Sequence, residues 1–295
     1  MNSLQQKILT ILSSPVNMPA WDIDAMIKDA QLETETIIVA AKEIATDITS
    51  IETTAKEMAH RRAKGELLGI ILKRTEFMGL LLETSTDCLV PRKETELLAR
   101  TAIEVLSASN ISNPLVIDMC CGSGNIACAI AHHLPNATVI ACDLTPSCIE
   151  LGRKNAARLG LDGRLSFYQG DLFNAIEHLN LIGKVDGIFC NPPYISSGKL
   201  STDRASLLAN EPQEAFDGGP YGLTIHQRVL SDAPQYLKEG GWLAFEFGVG
   251  QERQLSILFQ RLKQFYTQTE IKYNGEGIPR VIISAKKLQE NKNGS

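Results

Sequence analysis

The rhythm of apolar and polar positions changes near residue 114. Before it, apolar side chains recur three and four positions apart, at Ile23, Met26, Ile27 and Ala30 and again at Ile37, Ile38, Ala41 and Ile44. That spacing lines up one face of a helix. Polar breaks such as Ser13-Ser14-Pro15 interrupt the stretch, so residues 1–75 predict a small bundle of short helices. The charged run from Lys56 to Glu66 predicts a solvated last helix. Residues 76–113 read as a linker or hairpin region. From 114 to 288, short apolar runs alternate with helical segments. Leu115–Met119 precedes a helix from Gly124, and Thr138–Cys142 precedes a helix from Pro146. Leu165–Gln169, Gly187–Cys190, Trp242–Phe247 and Val281–Ala285 continue the series. Strand and helix in alternation predict an α/β fold, a parallel sheet with helices on both faces. The polar tail after Lys286 predicts a frayed end.

With 295 residues, the chain suits about two domains at roughly 150 residues each. A net charge of -5 argues against duplex nucleic acid held by broad phosphate neutralisation. The seven cysteines form no CxxC pair, which argues against a zinc framework and for reduced thiols. Ile8–Leu12 is too short to form a signal core or to cross a membrane. The expectation is a cytoplasmic monomer without a metal.

Chemistry concentrates at the ends of the predicted strands. The first runs into Asp118-Met119-Cys120-Cys121-Gly122-Ser123-Gly124, where glycines permit a tight turn and close approach of a ligand. Asp143 ends the second strand about 20 residues on, where a carboxylate can accept from both hydroxyls of a ribose. Ala127 stands where a dinucleotide fingerprint would have its third glycine, so a nucleoside fits better than a nucleotide. After the third strand come Gly170, Asp171 and Leu172. Asp171 either accepts from an adenine amino group, with Leu172 covering the ring, or caps the next helix. The fourth strand ends in Asn191-Pro192-Pro193-Tyr194. Paired prolines stiffen the chain and remove two donors. The Asn191 side-chain oxygen and the Pro192 carbonyl then form two acceptors for a planar NH2 group, with the Tyr194 ring free to stack on it. Such a grip suits methyl transfer to an amide or exocyclic amine, since it strengthens as the nitrogen turns tetrahedral.

These residues resemble the HemK/PrmC family of protein glutamine N5-methyltransferases. Thr75-Glu76-Phe77-Met78-Gly79 and Val90-Pro91-Arg92-Lys93-Glu94-Thr95-Glu96 are similar to its segments upstream of the cofactor loop. Glu211-Pro212, Gly218-Gly219, Phe245-Glu246-Phe247-Gly248 and Pro279-Arg280-Val281 are similar to later ones. The resemblance spans residues 56–285. It implies a Rossmann-like, seven-stranded class I methyltransferase fold with an antiparallel last strand, behind a helical domain that docks a peptide chain release factor. It implies S-adenosylmethionine as cofactor, held by Asp118, Cys120, Cys121, Gly122, Ser123, Gly124, Asp143, Leu144, Asp171, Leu172 and Asn191. It implies the glutamine of a Gly-Gly-Gln loop as acceptor. Asn191, Pro192 and Tyr194 would be catalytic, and Pro193, Phe77 and Arg92 would contact substrate. Cys120 and Cys121 replace the usual glycine and threonine of the loop, and Ile70-Ile71-Leu72-Lys73 replaces an aromatic linker motif. Two other readings stand beside this one: a relative acting on a small-molecule or other protein amide, amine or carboxylate acceptor, and a non-catalytic binding protein of the same fold.

Overall fold

The computed structural model describes residues 3–13, 20–202 and 210–288, without the side chains of residues 20–29. The chain divides into two compact units, Met1–Thr75 and Glu76–Ser295.

The first unit contains helices α1 (Ser3–Leu12), α2 (Ala20–Ile44), α3 (Ile48–Ala63) and α4 (Leu68–Leu72). Its core collects Ile8, Leu12, Ile37, Ala41, Met58 and Ile71. α2 runs 25 residues, so the expected short helices are here one long one. Ile44, the last residue of the helix, is exposed, whereas Ala41 in the same turn is buried in the core. The side chains of Ile23, Met26 and Ile27 lie outside the described residues, as do Ser14 and Pro15. Asp47 caps α3 by accepting from the Ser50 amide at 3.0 Å. The charged end of α3 is not wholly solvated: Arg62 is 5% exposed and pairs with Glu33 at 3.1 Å.

A hairpin of β1 (Arg74–Phe77), whose first two residues still belong to the first unit, and β2 (Leu80–Glu83) leads into the second, followed by α5 (Glu96–Ala108). Then come β3 (Leu115–Met119), α6 (Asn125–His133), β4 (Thr138–Asp143), α7 (Pro146–Arg158) and β5 (Leu165–Gln169). A 3-10 segment, Leu172–Leu179, leads to β6 (Val185–Cys190), and α8 (Ser197–Ser201) follows. α9 (Thr224–Tyr236), β7 (Leu237–Glu246), α10 (Glu252–Arg261), β8 (Glu270–Tyr273) and β9 (Pro279–Ala285) complete it. The seven strands are ordered β5-β4-β3-β6-β7-β9-β8, with β9 antiparallel to both of its neighbours. β8 escapes the sequence reading because Glu-Ile-Lys-Tyr at an exposed edge has no apolar run.

Each face of the sheet has its own core. Leu98, Leu106, Val116, Ile130 and Phe189 share one, which Phe77, Leu80 and Leu82 of the hairpin also join. Ile117, Ile188, Leu230, Phe245 and Tyr266 share the other. Alternate residues of β3 thus point to opposite cores, as the two-residue period of a strand requires. β3 pairs in parallel with both β4 and β6, so the chain reverses its direction of growth across the sheet at β3. An open α/β sheet has its ligand crevice beside the strand ends at such a reversal.

Close packing at that point depends on glycine. A Cβ on Gly152 would lie 2.4 Å from the Phe167 ring, and one on Gly124 would lie 2.9 Å from the same ring. Phe167 is 5% exposed and has nowhere to turn. Gly152→Ala should therefore lose more to overpacking than the roughly 1 kcal/mol it gains in helix propensity, for a net loss of about 1–2 kcal/mol. Urea unfolding would measure it; an unchanged or raised midpoint would contradict the packing argument.

Candidate active site

Beyond β3 the backbone enters left-handed conformations at Cys120 (φ 62), Gly122 (φ 51) and Gly124 (φ 78). The last sits at the N-cap of α6. Cys121 donates its N–H to the Cys142 carbonyl at 2.9 Å, pinning the turn to β4. A Cβ on Gly122 would meet nothing within 4 Å, so this part of the loop faces open space. Asp118 lies beneath the loop, 0% exposed, where one oxygen accepts from the Ala127 amide at 2.9 Å. Its other oxygen has no partner among the described residues. Burial, opposed by the Ala127 N–H and aided by the charge of Asp143, pushes its pKa up to about 8. Ser123 is also buried, and its carbonyl accepts from Asn155 at 3.1 Å. Asp118, Ser123 and Gly124 thus shape the loop from below.

Above the loop lies a cleft of about 680 Å³. Its walls include Cys120, Cys121, Gly122, Asp143, Leu144, Asp171, Leu172 and Asn191, from the ends of four parallel strands. Asp143 accepts from the Gly122 amide at 2.8 Å and from the Thr145 amide at 2.9 Å, one on each oxygen. Burial raises its pKa and these amides lower it. Each oxygen keeps capacity for a further donor. Leu172 holds a left-handed φ of 53 and is 8% exposed. Asp171 makes no capping hydrogen bond; it pairs with Arg228 at 2.7 Å, both about half exposed. Such a pair contributes little to stability, so Asp171 is not committed to a structural role. Burial pushes the thiols of Cys121, Cys128, Cys142 and Cys190 up, so these cysteines stay neutral and serve packing.

At the end of β6, Asn191 and Pro193 line the same cleft. Asn191 donates through Nδ2 to the Thr95 hydroxyl at 3.3 Å, leaving Oδ1 as its remaining polar atom. Among the described residues no backbone N–H donates to the Pro192 carbonyl. The Pro192 ring is buried, and the Tyr194 ring is not in the cleft wall but packs on Gly248, where a Cβ would be 3.0 Å away. The Tyr194 hydroxyl donates to Glu246 at 3.5 Å and accepts from Arg280 at 3.3 Å. Burial and then the Glu246 charge push its pKa up to about 12. Arg92 also lines the cleft; its guanidinium pairs with Glu211, which in turn takes the Val90 amide at 2.7 Å. Phe77 is 1% exposed, in the core rather than the cleft.

The sequence has close company. Residues 112–289 match the family described as Methyltransferase domain. The release factor glutamine methyltransferase of Geobacter sulfurreducens is 36% identical over 68% of this chain and 67% of its own. The protein of the same name from Synechocystis sp. is 34% identical over 74% of this chain and 72% of its own. Another, from Bradyrhizobium diazoefficiens, is 30% identical over 90% of each. The chain belongs to the release factor glutamine methyltransferase family. Among solved structures, the hMettl16 catalytic domain in complex with MAT2A 3'UTR hairpin 6 superposes with a TM-score of 0.57, 15% identity and coverage of 80% and 83%. A methyltransferase from Pyrococcus furiosus gives 0.50, 19% identity and coverage of 71% and 90%. At these identities the likeness establishes the fold, a Rossmann-like methyltransferase.

Members of this family are S-adenosylmethionine-dependent methyltransferases, and the cleft fits that cofactor. The open face at Gly122 accommodates close approach, and Asp143 has lone pairs left for ribose hydroxyls. The walls at Leu144 and Leu172 are apolar. Reasoning from the sequence did not single out Thr95 or Glu246 as site residues, although both stand in segments that resemble the family. Neither carries a signal by type or spacing, and only the fold brings Thr95 to Asn191 and Glu246 to Tyr194. Asn155 was missed for the same reason: it joins β2 to the loop through Glu83 and Ser123.

Two measurements test this site. Asp143→Ala removes a charged acceptor that would cost about 1.5–3 kcal/mol of cofactor binding, so S-adenosylmethionine should bind at least about tenfold more weakly; unchanged affinity by calorimetry would contradict the assignment. Asp118 binds its proton more tightly folded than unfolded, so its contribution is complete at low pH and is lost as pH rises through about 8. Asp118→Asn should flatten the fall in urea midpoint between about pH 5 and 8; an equally steep fall in the variant would place the titration elsewhere.

Proposed function

We propose that this protein methylates the side-chain amide nitrogen of the Gly-Gly-Gln glutamine of a peptide chain release factor. The observation that carries the reading is the orientation of Asn191 at the cleft wall, where its side-chain nitrogen donates to Thr95 and its side-chain oxygen has no hydrogen-bond partner among the described residues. That oxygen and the carbonyl of Pro192, next in the chain, would offer two acceptors to a group with two N–H donors. Bound S-adenosylmethionine supplies an electrophilic methyl group on sulfur. The protein's part is to hold the acceptor nitrogen in line with it and to stabilise the N–H bonds as they acidify. The nitrogen then sheds a proton; no strong base is needed, because an N-alkylated amide cation is a strong acid. Arg92, held by Glu211, presents a cation at the cleft wall toward the acceptor chain. The first unit would serve acceptor recognition, since every cofactor motif lies beyond residue 114 of the chain.

The same reading makes the protein a cytoplasmic monomer that does not need nucleic acid. Its seven cysteines are all free thiols, which suits a reducing compartment. Among the described residues no helix is long and apolar enough to cross a membrane.

The test is transfer of labelled methyl from S-adenosylmethionine to purified release factor, with the target glutamine changed to alanine as control. Label should appear on the wild-type factor only. Asn191→Ala should lower kcat by about 10²–10³ while cofactor affinity changes much less, the cost of losing one hydrogen-bonding partner made in the transition state. Wild-type turnover in single-turnover assays of Asn191→Ala would refute the grip on NH2.

A further inference from the structure

Gln251 stands at the N-cap of α10, where a side-chain oxygen ordinarily accepts from an amide of the helix's own first turn. Here it makes no such bond. Its amide reaches back instead to three loops. Oε1 accepts from the Gly248 amide at 2.9 Å. Nε2 donates to the Tyr194 carbonyl at 2.9 Å and to the Gly222 carbonyl at 3.3 Å, one hydrogen for each. All three partners are backbone groups, so their chemistry fixes which end of the amide is oxygen and which is nitrogen. Among the described residues no backbone N–H donates to the Tyr194 carbonyl, and Gln251 is its partner.

The three backbones approach so closely that side chains are excluded between them. A Cβ on Gly222 would lie 2.3 Å from the Tyr194 carbonyl oxygen and 2.8 Å from Gln251 Nε2. One on Gly248 would lie 3.0 Å from the Tyr194 ring and 3.1 Å from Gln251 Oε1. Just beyond Tyr194, Ile195 donates to the Phe216 carbonyl at 2.9 Å and accepts from the Gly218 amide at 2.8 Å. Asp217, Gly218 and Gly219 of that loop line the cleft. Proline fixes φ at Pro192 and Pro193, so few torsions separate the Pro192 carbonyl from the point where Gln251 holds the chain. A shift of the Tyr194 peptide is therefore passed on to the Pro192 carbonyl and Asn191 rather than absorbed on the way.

We infer that Gln251 is a positioning residue: its amide ties the Asn-Pro-Pro-Tyr turn to the loops at Gly222 and Gly248, and so holds the grip on the acceptor nitrogen in place for transfer. This deepens the proposed function and rests on it for the identity of the acceptor. Gln251 does not line the cleft and touches neither reactant in this account.

The experiment is single-turnover transfer to release factor with saturating S-adenosylmethionine. Gln251→Met keeps the length of the side chain and loses all three hydrogen bonds. Gln251→Glu keeps the acceptor for Gly248 but has at most one hydrogen for two carbonyls. Gln251→Met should lower the maximal rate at least about tenfold and Gln251→Glu at least about threefold, since misalignment of the reacting groups costs rate rather than binding. Cofactor affinity and the release factor concentration at half-maximal rate should stay within about threefold of wild type. A wild-type rate in either folded variant, or a loss carried by weaker binding of cofactor or release factor, would overturn the inference. Amide exchange gives a readout that needs no acceptor. With S-adenosylhomocysteine bound, the Gly248 and Ile195 amides should be protected in the wild type and exchange at least about tenfold faster in Gln251→Met, while amides of β3 and β4 keep their rates. An unprotected Gly248 amide in the wild type, or unchanged exchange in the variant, would overturn the inference even with release factor as the acceptor. If release factor takes no label from the wild type while the exchange pattern holds, the proposed acceptor falls and the positioning role stands.

Discussion

Parallel pairing of β3 with β4 on one side and β6 on the other is the constraint on which the molecule depends. It brings the ends of β3, β4 and β6 to one rim, with β5 beside β4. The loop after β3 then faces the carboxylate that closes β4, and the Asn-Pro-Pro turn after β6 stands on the other side. Under the proposed function, cofactor and acceptor share one cleft because one strand is neighbour to both halves of the sheet. The hairpin and α5 add the second layer: their apolar residues pack into the sheet core while Pro91, Arg92 and Thr95 reach the cleft wall.

Stability is spent at this rim. Asp118, Glu211 and Glu246 are buried around it and Asp143 is half-buried, and burial raises the pKa of each. The backbone holds two non-glycine residues, Cys120 and Leu172, in left-handed conformations at the loops that line the cleft. Strain of this kind persists where surrounding structure enforces it, and it clusters at sites of binding. The position of Cys120 asks for positive φ, and cysteine meets it with a small side chain packed toward the sheet.

The sheet was legible because its buried strands are short apolar runs between turn residues, and Leu115–Met119 and Leu165–Gln169 fall where the pattern puts them. β8 was not, since an edge strand with exposed faces needs no apolar pattern. At the site, Asp143 and Asn191 were legible from their place at strand ends. Asp118 and Ser123 stand in the same loop text, yet they face inward, and sequence spacing does not say which side of a turn a residue takes. Tyr194 was expected to stack on the acceptor; the fold packs its ring on Gly248 and ties its hydroxyl to Glu246 and Arg280. Thr95 and Glu246 become meaningful only through a contact across 96 positions of chain and another across 52. Hydrogen-bond polarity is a property of the folded network.

The central claim is that the cleft recognises a nitrogen bearing two hydrogens. Its most direct test is the initial rate of methyl transfer to two release factors that differ only in having glutamine or glutamate at the Gly-Gly-Gln position. The two side chains match in shape, but glutamate offers acceptors where the cleft itself presents acceptors. The account predicts transfer to the glutamine form and none above background to the glutamate form. Comparable rates on both would contradict it and make an oxygen the acceptor atom.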